Sequence, residues 1–158
     1  MPMKIAILED NEDRRTAMRC CLADRLHQYE VQFFDDASAM IAYLKNNLAD
    51  TVVVSLDHDL DLKPGEGGRW LDPGTGREIA DYLAEQPASF PVIIHTSNGD
   101  AAVGMELVLQ DAGWNTHRVV PMEDNEWIHG HWLRTIRNAI VGSAKRRRSE
   151  QTISGEQA

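Results

Sequence analysis

Only two cysteines occur in this 158-residue chain, and they are neighbours, Cys20 and Cys21. Adjacent side chains on a helix point apart, so the chain has no basis for a disulfide framework. It also lacks an apolar run of about 18 residues, which a membrane-spanning helix needs. Its first ten residues lack the charged, apolar and cleavage regions of a signal peptide. We therefore expect a reduced, cytoplasmic protein that does not enter a membrane.

Basic residues are also scarce: Lys and Arg number 16 against 25 Asp and Glu, which gives a net charge of −9. This balance argues against binding to duplex DNA along a basic surface, but it does not exclude recognition of one nucleotide or one RNA end. The length suits one domain, expected at residues 1–142. Because of the basic run Lys145–Arg148, we expect residues 143–158 to be a flexible basic and polar tail.

What the chain does have is a regular alternation of short apolar runs with helical patterns. Strands are predicted at five runs: Lys4–Leu8, Glu30–Phe34, Val52–Leu56, Pro91–Thr96 and His117–Val120. Ser38 is the expected cap of the second helix, Thr75 and Glu78 form a capping box for the third, and the last helix is expected over Asn125–Val141. This (βα)5 order predicts a three-layer α/β sandwich of the flavodoxin-like type, with parallel strands ordered 2-1-3-4-5.

Polar residues stand at the carboxyl ends of three strands that this order makes neighbours. Glu9-Asp10 follow the first strand, Asp57-His58-Asp59 the third, and His95-Thr96-Ser97-Asn98 the fourth. Open α/β sheets bind ligands at this edge, so we expect these clusters to form one site. If the third strand kept its geometry, alternation would place its two aspartates on one side and its histidine on the other.

The connection 61–74 is long and contains four glycines and two prolines, so we expect an irregular loop. Loops of this length are often lids or binding loops. Within it, Arg69 offers a bidentate contact to phosphate, and Trp70 offers a surface for stacking on a base. The alternative for Trp70 is an anchor that holds the loop on the domain.

The stretch Ile7–Arg15, which reads ILEDNEDRR, resembles the first strand and acidic corner of a response-regulator receiver domain. The resemblance places Asp57 where receivers carry the aspartate that accepts a phosphoryl group, and Thr96 where they carry the hydroxyl residue that ends strand four. Receivers also carry a lysine before a proline after strand five, and that lysine pairs with the phosphoryl group. Here Val120 precedes Pro121, so the lysine is missing.

A closer resemblance is to the cyclic-phosphate-processing receiver-like family. Its hallmarks are a DHDL strand end, a helix that begins with TG, and a strand-four HS or HT followed by x-N and a glycine. The chain contains these motifs in order: Asp57-His58-Asp59-Leu60, Thr75-Gly76, and His95-Thr96-Ser97-Asn98 with Gly104. The resemblance spans about residues 3–140 and implies a cyclic phosphate as the substrate class.

The strand-end carboxylates are candidate metal ligands. An oxygen-rich set suits Mg²⁺ or Mn²⁺, and Zn²⁺ becomes a candidate if histidines join it; the set comprises Glu9, Asp10, Asp57 and Asp59. The alternative is a group of solvated acids without an ion.

The two strand-end histidines are candidates for proton transfer. His58 and His95, with Asp57, would act as general acid and base in cleavage of a phosphodiester, or the histidines would complete a metal site. The alternative for either histidine is a hydrogen-bonded structural role. Backbone N–H groups at the start of the fourth helix favour a phosphate, and the candidates there are Thr96, Ser97, Asn98 and Gly99. The alternative for that corner is a simple Asn or Ser cap. The pair His129 and His131 is expected to be ordinary surface, because side chains two apart on a helix do not face each other.

The leading interpretation is a metal-assisted phosphodiesterase that acts on a cyclic phosphate, with a small phosphorylated molecule, a nucleotide or an RNA end as its ligand. The first alternative is a receiver module phosphorylated on Asp57, with a histidine kinase or a second copy of the chain as its partner. The second alternative is a degenerate receiver that only binds other proteins. The missing lysine favours the enzyme over the signalling module.

Overall fold

The strands of the protein form a parallel sheet that lies between two layers of helices. The computed structural model describes residues 2–156, and the elements in chain order are β1 (Lys4–Leu8), α1 (Glu12–Arg25), β2 (Glu30–Phe34), α2 (Ala37–Asn47), β3 (Thr51–Leu56), β4 (Lys63–Pro64), β5 (Trp70–Leu71), α3 (Gly76–Ala84), β6 (Val92–Ile94), α4 (Gly99–Asp111), β7 (Thr116–Arg118) and α5 (Leu133–Glu156). A single π-helical turn, Ile128–Trp132, precedes α5. Within this part of the chain no helix is long and apolar enough to span a bilayer.

The main sheet has the order β2-β1-β3-β6-β7, and all of its neighbouring strands are parallel. The two short strands β4 and β5 form a separate antiparallel pair. When that pair is left aside, the order is the predicted 2-1-3-4-5, so the predicted fold is confirmed. Right-handed crossovers through helices make this arrangement the usual outcome of a (βα)5 sequence.

Alternate residues of each strand supply the two halves of the core. On β1, Ala6 and Leu8 pack with α2, α3 and α4, whereas Ile5 and Ile7 pack with α1 and α5. All six residues of β3 are buried, as expected for a central strand that is covered on both faces. The three layers therefore follow from the period-two alternation of side chains along the strands.

Several helix ends differ from the predicted ones. The cap of α2 is Asp36, whose side chain accepts a hydrogen bond from the Ala39 N–H, and Ser38 lies inside the helix. Thr75 is the N-cap residue of α3, but its side chain makes no capping hydrogen bond, so the predicted capping box with Glu78 is absent. Asp and Ser are about equally good caps, so the extended backbone at Asp36, directly before the first helical residue, decides between them.

The C-terminal segment is helical rather than a loose tail. α5 continues through 143–156, where we expected a flexible tail, and Arg147 donates a hydrogen bond of 3.3 Å to the Ser89 carbonyl oxygen. The segment contains no proline, and its Lys and Arg residues are good helix formers, so nothing in it stops the helix. Residues 157 and 158 of the predicted tail lie outside the described part.

The long connection after β3 is also more ordered than predicted. β4 and β5 form a small hairpin in it, joined by a turn in which Gly67 and Gly68 take positive φ angles of 69° and 73°. Both cysteines are free, with Cys21 buried and Cys20 exposed, so no disulfide links them.

Candidate functional site

The carboxyl ends of β1, β3 and β6 meet in register. Ser55 on the central strand lies opposite Ile7 on one side and Ile93 on the other, and these side chains face α1 and α5. Two residues further along each strand, the alternation brings three polar side chains to the same face: Glu9, Asp57 and His95. One ligand atom from each of the three lies within 4.8 Å of the others, and all three residues are buried. The predicted convergence of three strand ends is thus present in the structure.

His95 sits in a fully buried chain of polar contacts. The Trp132 indole N–H donates to the Ser55 hydroxyl oxygen at 3.0 Å, and that oxygen lies 2.7 Å from His95 Nδ1. The indole nitrogen can only donate, so the Ser55 hydroxyl keeps its own proton available for Nδ1. The other ring nitrogen, Nε2, lies 3.4 Å from Glu9 Oε1.

Arg14 is a site residue that the sequence reasoning missed. Its Nη1 lies 3.5 Å from Glu9 Oε1 and 3.9 Å from Asp57 Oδ2, and its guanidinium carbon lies 5.5 Å from the centre of the Trp127 ring. A signal was available: Arg14 stands in the first turn of the helix after Glu9, where its side chain can turn back towards the strand end. The sequence motif drew attention to the acids and not to the cation beside them.

Burial and charge act differently on the two buried carboxyl groups. Removal from water raises the pKa of Asp57 to about 6, and the negative charge of Glu9 adds to this, whereas His95 and Arg14 oppose it. Burial would also raise the pKa of Glu9, but His95 and Arg14 more than offset that effect and hold it below its usual value. Asp57 is therefore the carboxyl group that changes charge near neutral pH.

His58 and Asp59 do not follow the predicted strand alternation, because β3 ends at Leu56. The two side chains meet instead, with His58 Nδ1 3.0 Å from Asp59 Oδ1. The other oxygen of Asp59 accepts a hydrogen bond from the Asn98 amide at 3.2 Å. Burial would raise the pKa of Asp59, but the contacts with His58 and Asn98 together outweigh it and lower that pKa. The expectation that Asp57 and Asp59 share one side of the strand required the strand to continue that far, and this condition is not met.

The predicted set of four metal-binding acids is divided by the structure. Glu9 and Asp57 lie together with His95, while Asp10 accepts a hydrogen bond from the Asp61 N–H and Asp59 is turned to His58. Glu9 Oε1 is buried without a hydrogen-bond partner among the described residues, which is the state of an oxygen that can take a cation. The residues present therefore fit a divalent ion, with Glu9 and Asp57 as the oxygen ligands.

The corner before α4 is used first for capping. The Asn98 side chain accepts from the Ala101 N–H at 3.1 Å, and the buried Thr96 hydroxyl oxygen accepts from the Asn98 N–H at 3.1 Å. Ser97 and Gly99 are exposed. The simple-cap alternative is thus present, and phosphate binding at this corner stays a prediction.

The predicted substrate contacts Arg69 and Trp70 lie on the hairpin of β4 and β5. Trp70 is 67% exposed, so it does not anchor the loop on the domain. Leu71 and Leu62 are also exposed there, which makes the hairpin an apolar projection. The aromatic ring of Trp70 remains available for stacking on a base, and that role stays a prediction.

Gly76 explains why a helix that begins with TG belongs to this site. Its N–H donates to the His58 carbonyl oxygen at 3.1 Å, so α3 starts directly against the end of β3. A Cβ atom at this position would lie far inside van der Waals contact with the Asp57 carbonyl oxygen. Only glycine lets the helix approach the strand end this closely.

Solved structures with a similar fold are receiver domains of response regulators. The phosphorylated cyanobacterial phytochrome response regulator RcpA aligns with a TM-score of 0.64 at 18% identity, over 87% of this chain and 93% of its own. A CheY-like receiver domain from Methanospirillum hungatei JF-1 gives 0.64 at 15% identity over 92% and 99%. The Mn²⁺-bound form of the response regulator Rcp1 gives 0.62 at 17% identity over 87% and 93%. At these identities the likeness establishes the fold alone, and no curated protein matches the chain in sequence.

The architecture is therefore that of a receiver domain. A family model for the cyclic-phosphate processing receiver domain matches residues 5–111, which run from β1 to the end of α4. The chain belongs to this family. The matched range contains all three strand ends and the TG start of α3.

Proposed function

We propose that this chain handles a phosphate group at the edge formed by Glu9, Asp57 and His58, and that the substrate is a cyclic phosphate ester. The observation that carries the proposal is the state of Asp57. It directly follows the central strand with its side chain about one-tenth exposed, and burial raises its pKa to about 6. Without a bound ion, such a carboxyl group suits a proton-transfer role at a phosphate ester, and with an ion it serves as a ligand instead. Membership of the family supports the cyclic phosphate as substrate class.

His58 is the imidazole that a substrate can reach. Its side chain is partly exposed, and the contact with Asp59 at 3.0 Å orients the ring in the way that a carboxylate orients a catalytic histidine. We assign His58 the role of the general acid or base that exchanges a proton with the ester oxygens. Asp59 and Asn98 serve as the groups that hold it.

His95 has a different part in this proposal, because it is fully buried. Its Nε2 faces Glu9 and not solvent, so a proton can pass to a substrate only through the carboxyl groups of Glu9 and Asp57. In this proposal His95 favours the ionised form of Asp57. It could serve as the predicted acid or base only through these two carboxyl groups, and not by direct contact with the substrate.

Glu9 and Asp57 would hold a divalent ion, with Asp10 and Asp59 as further candidates. A bound ion would supply charge neutralisation at the phosphoryl oxygens and lower the pKa of bound water. Mg²⁺ and Mn²⁺ suit the carboxylates, and Zn²⁺ would also recruit His95. The hairpin residues Arg69 and Trp70 would contact the rest of a nucleotide or RNA end, and Thr96, Ser97 and Gly99 the phosphate.

The second candidate function is a receiver module that accepts a phosphoryl group on Asp57. The receiver fold and the position of Asp57 at the end of β3 favour it. Against it stands Val120, which replaces the lysine and is half-exposed without a charge. Acetyl phosphate separates the two candidates: stable labelling of Asp57, lost in Asp57→Asn, would support the module.

To test the enzymatic function, the protein is incubated with a panel of cyclic phosphates in the presence of Mg²⁺, Mn²⁺ and Zn²⁺ in turn, and ring opening is monitored by phosphorus NMR. Ring opening by the wild type is expected, and His58→Gln should lower turnover on the order of 10²–10⁴-fold if His58 is the acid or base. His131→Gln, at an exposed histidine of the π-helical turn, is the matched control. Turnover equal in the two variants, or none by the wild type with any ion, would refute the proposal.

A further inference from the structure

Arg14 brings a positive charge from α1 to the acidic end of the sheet. Its Nη1 lies 3.5 Å from Glu9 Oε1 and 3.9 Å from Asp57 Oδ2. The side chain is 27% exposed, so the guanidinium reaches both the buried carboxylates and the solvent. These contacts are longer than close charge-assisted hydrogen bonds, which leaves N–H donors of Arg14 free for a ligand.

The position of Arg14 is unfavourable for a cation within its own helix. It stands three residues after the N-cap Asn11, in the first turn of α1, where the exposed N–H groups carry partial positive charge. Glu12 and Asp13 in the same turn follow the usual acidic preference. The placement of Arg14 is therefore explained by the carboxylates that it faces and not by the helix.

Trp127 fixes the guanidinium in place. The ring is buried, at the start of the π-helical turn, and its centre lies 5.5 Å from the guanidinium carbon of Arg14. An aromatic face at this distance attracts a cation and limits the orientations of its planar group. Trp127 acts on the phosphate through Arg14, so it is a positioning residue; its ring also lies beside that of His95, with the ring centres 6.2 Å apart.

We propose that Arg14, held by Trp127, is the cation that binds the phosphate at this site, in place of the lysine that is missing before Pro121. A guanidinium has five N–H donors in a planar fork that matches two oxygens of one phosphoryl group. The inference rests on the proposed function, because it assumes that the phosphate meets the protein at Asp57.

The proposal has an electrostatic signature that general damage to the fold would not produce. Arg14 and a divalent ion are attracted to the same two carboxylates, and they repel each other. Removal of the guanidinium should therefore tighten the binding of Mg²⁺ alone and weaken the binding of phosphate. A folding defect would weaken both.

The experiment is titration calorimetry with two probes, Mg²⁺ alone and inorganic phosphate in saturating Mg²⁺. Arg14→Ala should weaken phosphate binding on the order of 10–100-fold, which is the effect of a lost charge-assisted hydrogen bond, and should tighten Mg²⁺ binding severalfold. Arg14→Lys, which keeps the charge without the fork, should fall between. The matched control is Arg15→Ala, because Arg15 is the next residue but stacks on Phe33 instead.

Trp127 is tested by a conservative rescue. Trp127→Leu should weaken phosphate binding about twofold to fivefold through loss of the cation–π contact, and Trp127→Phe should recover most of it. Equal weakening by both variants would assign Trp127 a packing role only.

Each outcome bears on the inference. Phosphate binding that is equal in Arg14→Ala and Arg15→Ala, or absent in the wild type, would overturn it, and so would parallel weakening of both probes in folded Arg14→Ala and Arg14→Lys. Failure of the proposed function is distinguishable: a wild type that binds phosphate through Arg14 but opens no cyclic phosphate keeps the inference and loses the enzyme.

Discussion

Replacement of Asp57 by asparagine should stabilise the protein at neutral pH. The folded-state pKa of Asp57 is about 6, above the ordinary value of 3.8, mainly because the carboxyl group is buried. Between these two values the folded chain binds more protons than the unfolded chain, so stability falls as pH rises from about 4 to about 6. Above pH 6 the folded state carries the full cost of a buried, ionised Asp57, and Asp57→Asn removes that cost.

The size of the expected stabilisation follows from the shift in the pKa of Asp57. A difference of about 2 pH units corresponds to about 3 kcal/mol as an upper limit. The Asp57 side chain also accepts a hydrogen bond from the His58 N–H and attracts Arg14 at 3.9 Å. The asparagine oxygen keeps the first contact and the variant loses the second, so we expect a net gain of about 1–2 kcal/mol at pH 7.5. For a chain of this length that is about 2–8 °C in Tm.

The measurement is chemical and thermal unfolding of the wild type and Asp57→Asn in EDTA, at pH 4.5 and pH 7.5. The gain at pH 7.5 should exceed the gain at pH 4.5, where the folded wild type already has a protonated Asp57. Asp59→Asn is the control, because the pKa of Asp59 is lowered and that variant should not gain stability at either pH. An Asp57→Asn protein that is no more stable at pH 7.5, or whose gain is independent of pH, would refute the assigned pKa and its cause.

Two further predictions concern the backbone and the ion. Gly76→Ala should destabilise the protein by about 1–3 kcal/mol, because the added Cβ would displace the Asp57 carbonyl group. The control is Gly142→Ala, where nothing lies within 4 Å of the added Cβ, and this variant should stabilise α5 by about 0.5–1 kcal/mol. Equal effects of the two substitutions on Tm would contradict this explanation. Millimolar Mg²⁺ or Mn²⁺ should raise Tm by mass action. Glu9→Gln should abolish that shift while Asp59→Asn largely keeps it, and the reverse order in a thermal-shift series would return the ion to Asp59.

Local pattern was enough to predict the five strands of the main sheet and their order, but not the hairpin of β4 and β5. β1 and β2 have the predicted bounds, and the central strand begins one residue earlier, at Thr51. Apolar runs and helical spacing are properties of neighbouring residues, and the right-handed crossover rule turns them into one topology. Element ends were less accurate, since Asp36 and Ser38 are both plausible caps in sequence and only the backbone direction decides between them.

The candidate site was also predicted only in part from the sequence. That Glu9, Asp57 and His95 stand at strand ends was evident from the sequence, because the polar residues follow apolar runs directly. The separation of Asp59 from this set depends on where β3 stops, which side-chain alternation could not foresee. Arg14 and Trp127 belong to helices whose contacts with the strand ends arise only when the layers pack.

By itself the sequence determined the (βα)5 order, the acidic balance and the three strand-end clusters, since each is encoded in residues close together along the chain. Only the tertiary structure decided which of those polar groups are buried together and in what charge state. Ser55 and Trp132 illustrate the reason, since both are core positions by pattern. The Trp132 indole N–H bonds to Ser55, and Ser55 bonds to His95, because the sheet register and the π-helical turn bring Trp132 within 3.0 Å of a residue 77 positions earlier. The burial of Asp57 likewise arises only when the layers pack, and its raised pKa follows mainly from that burial.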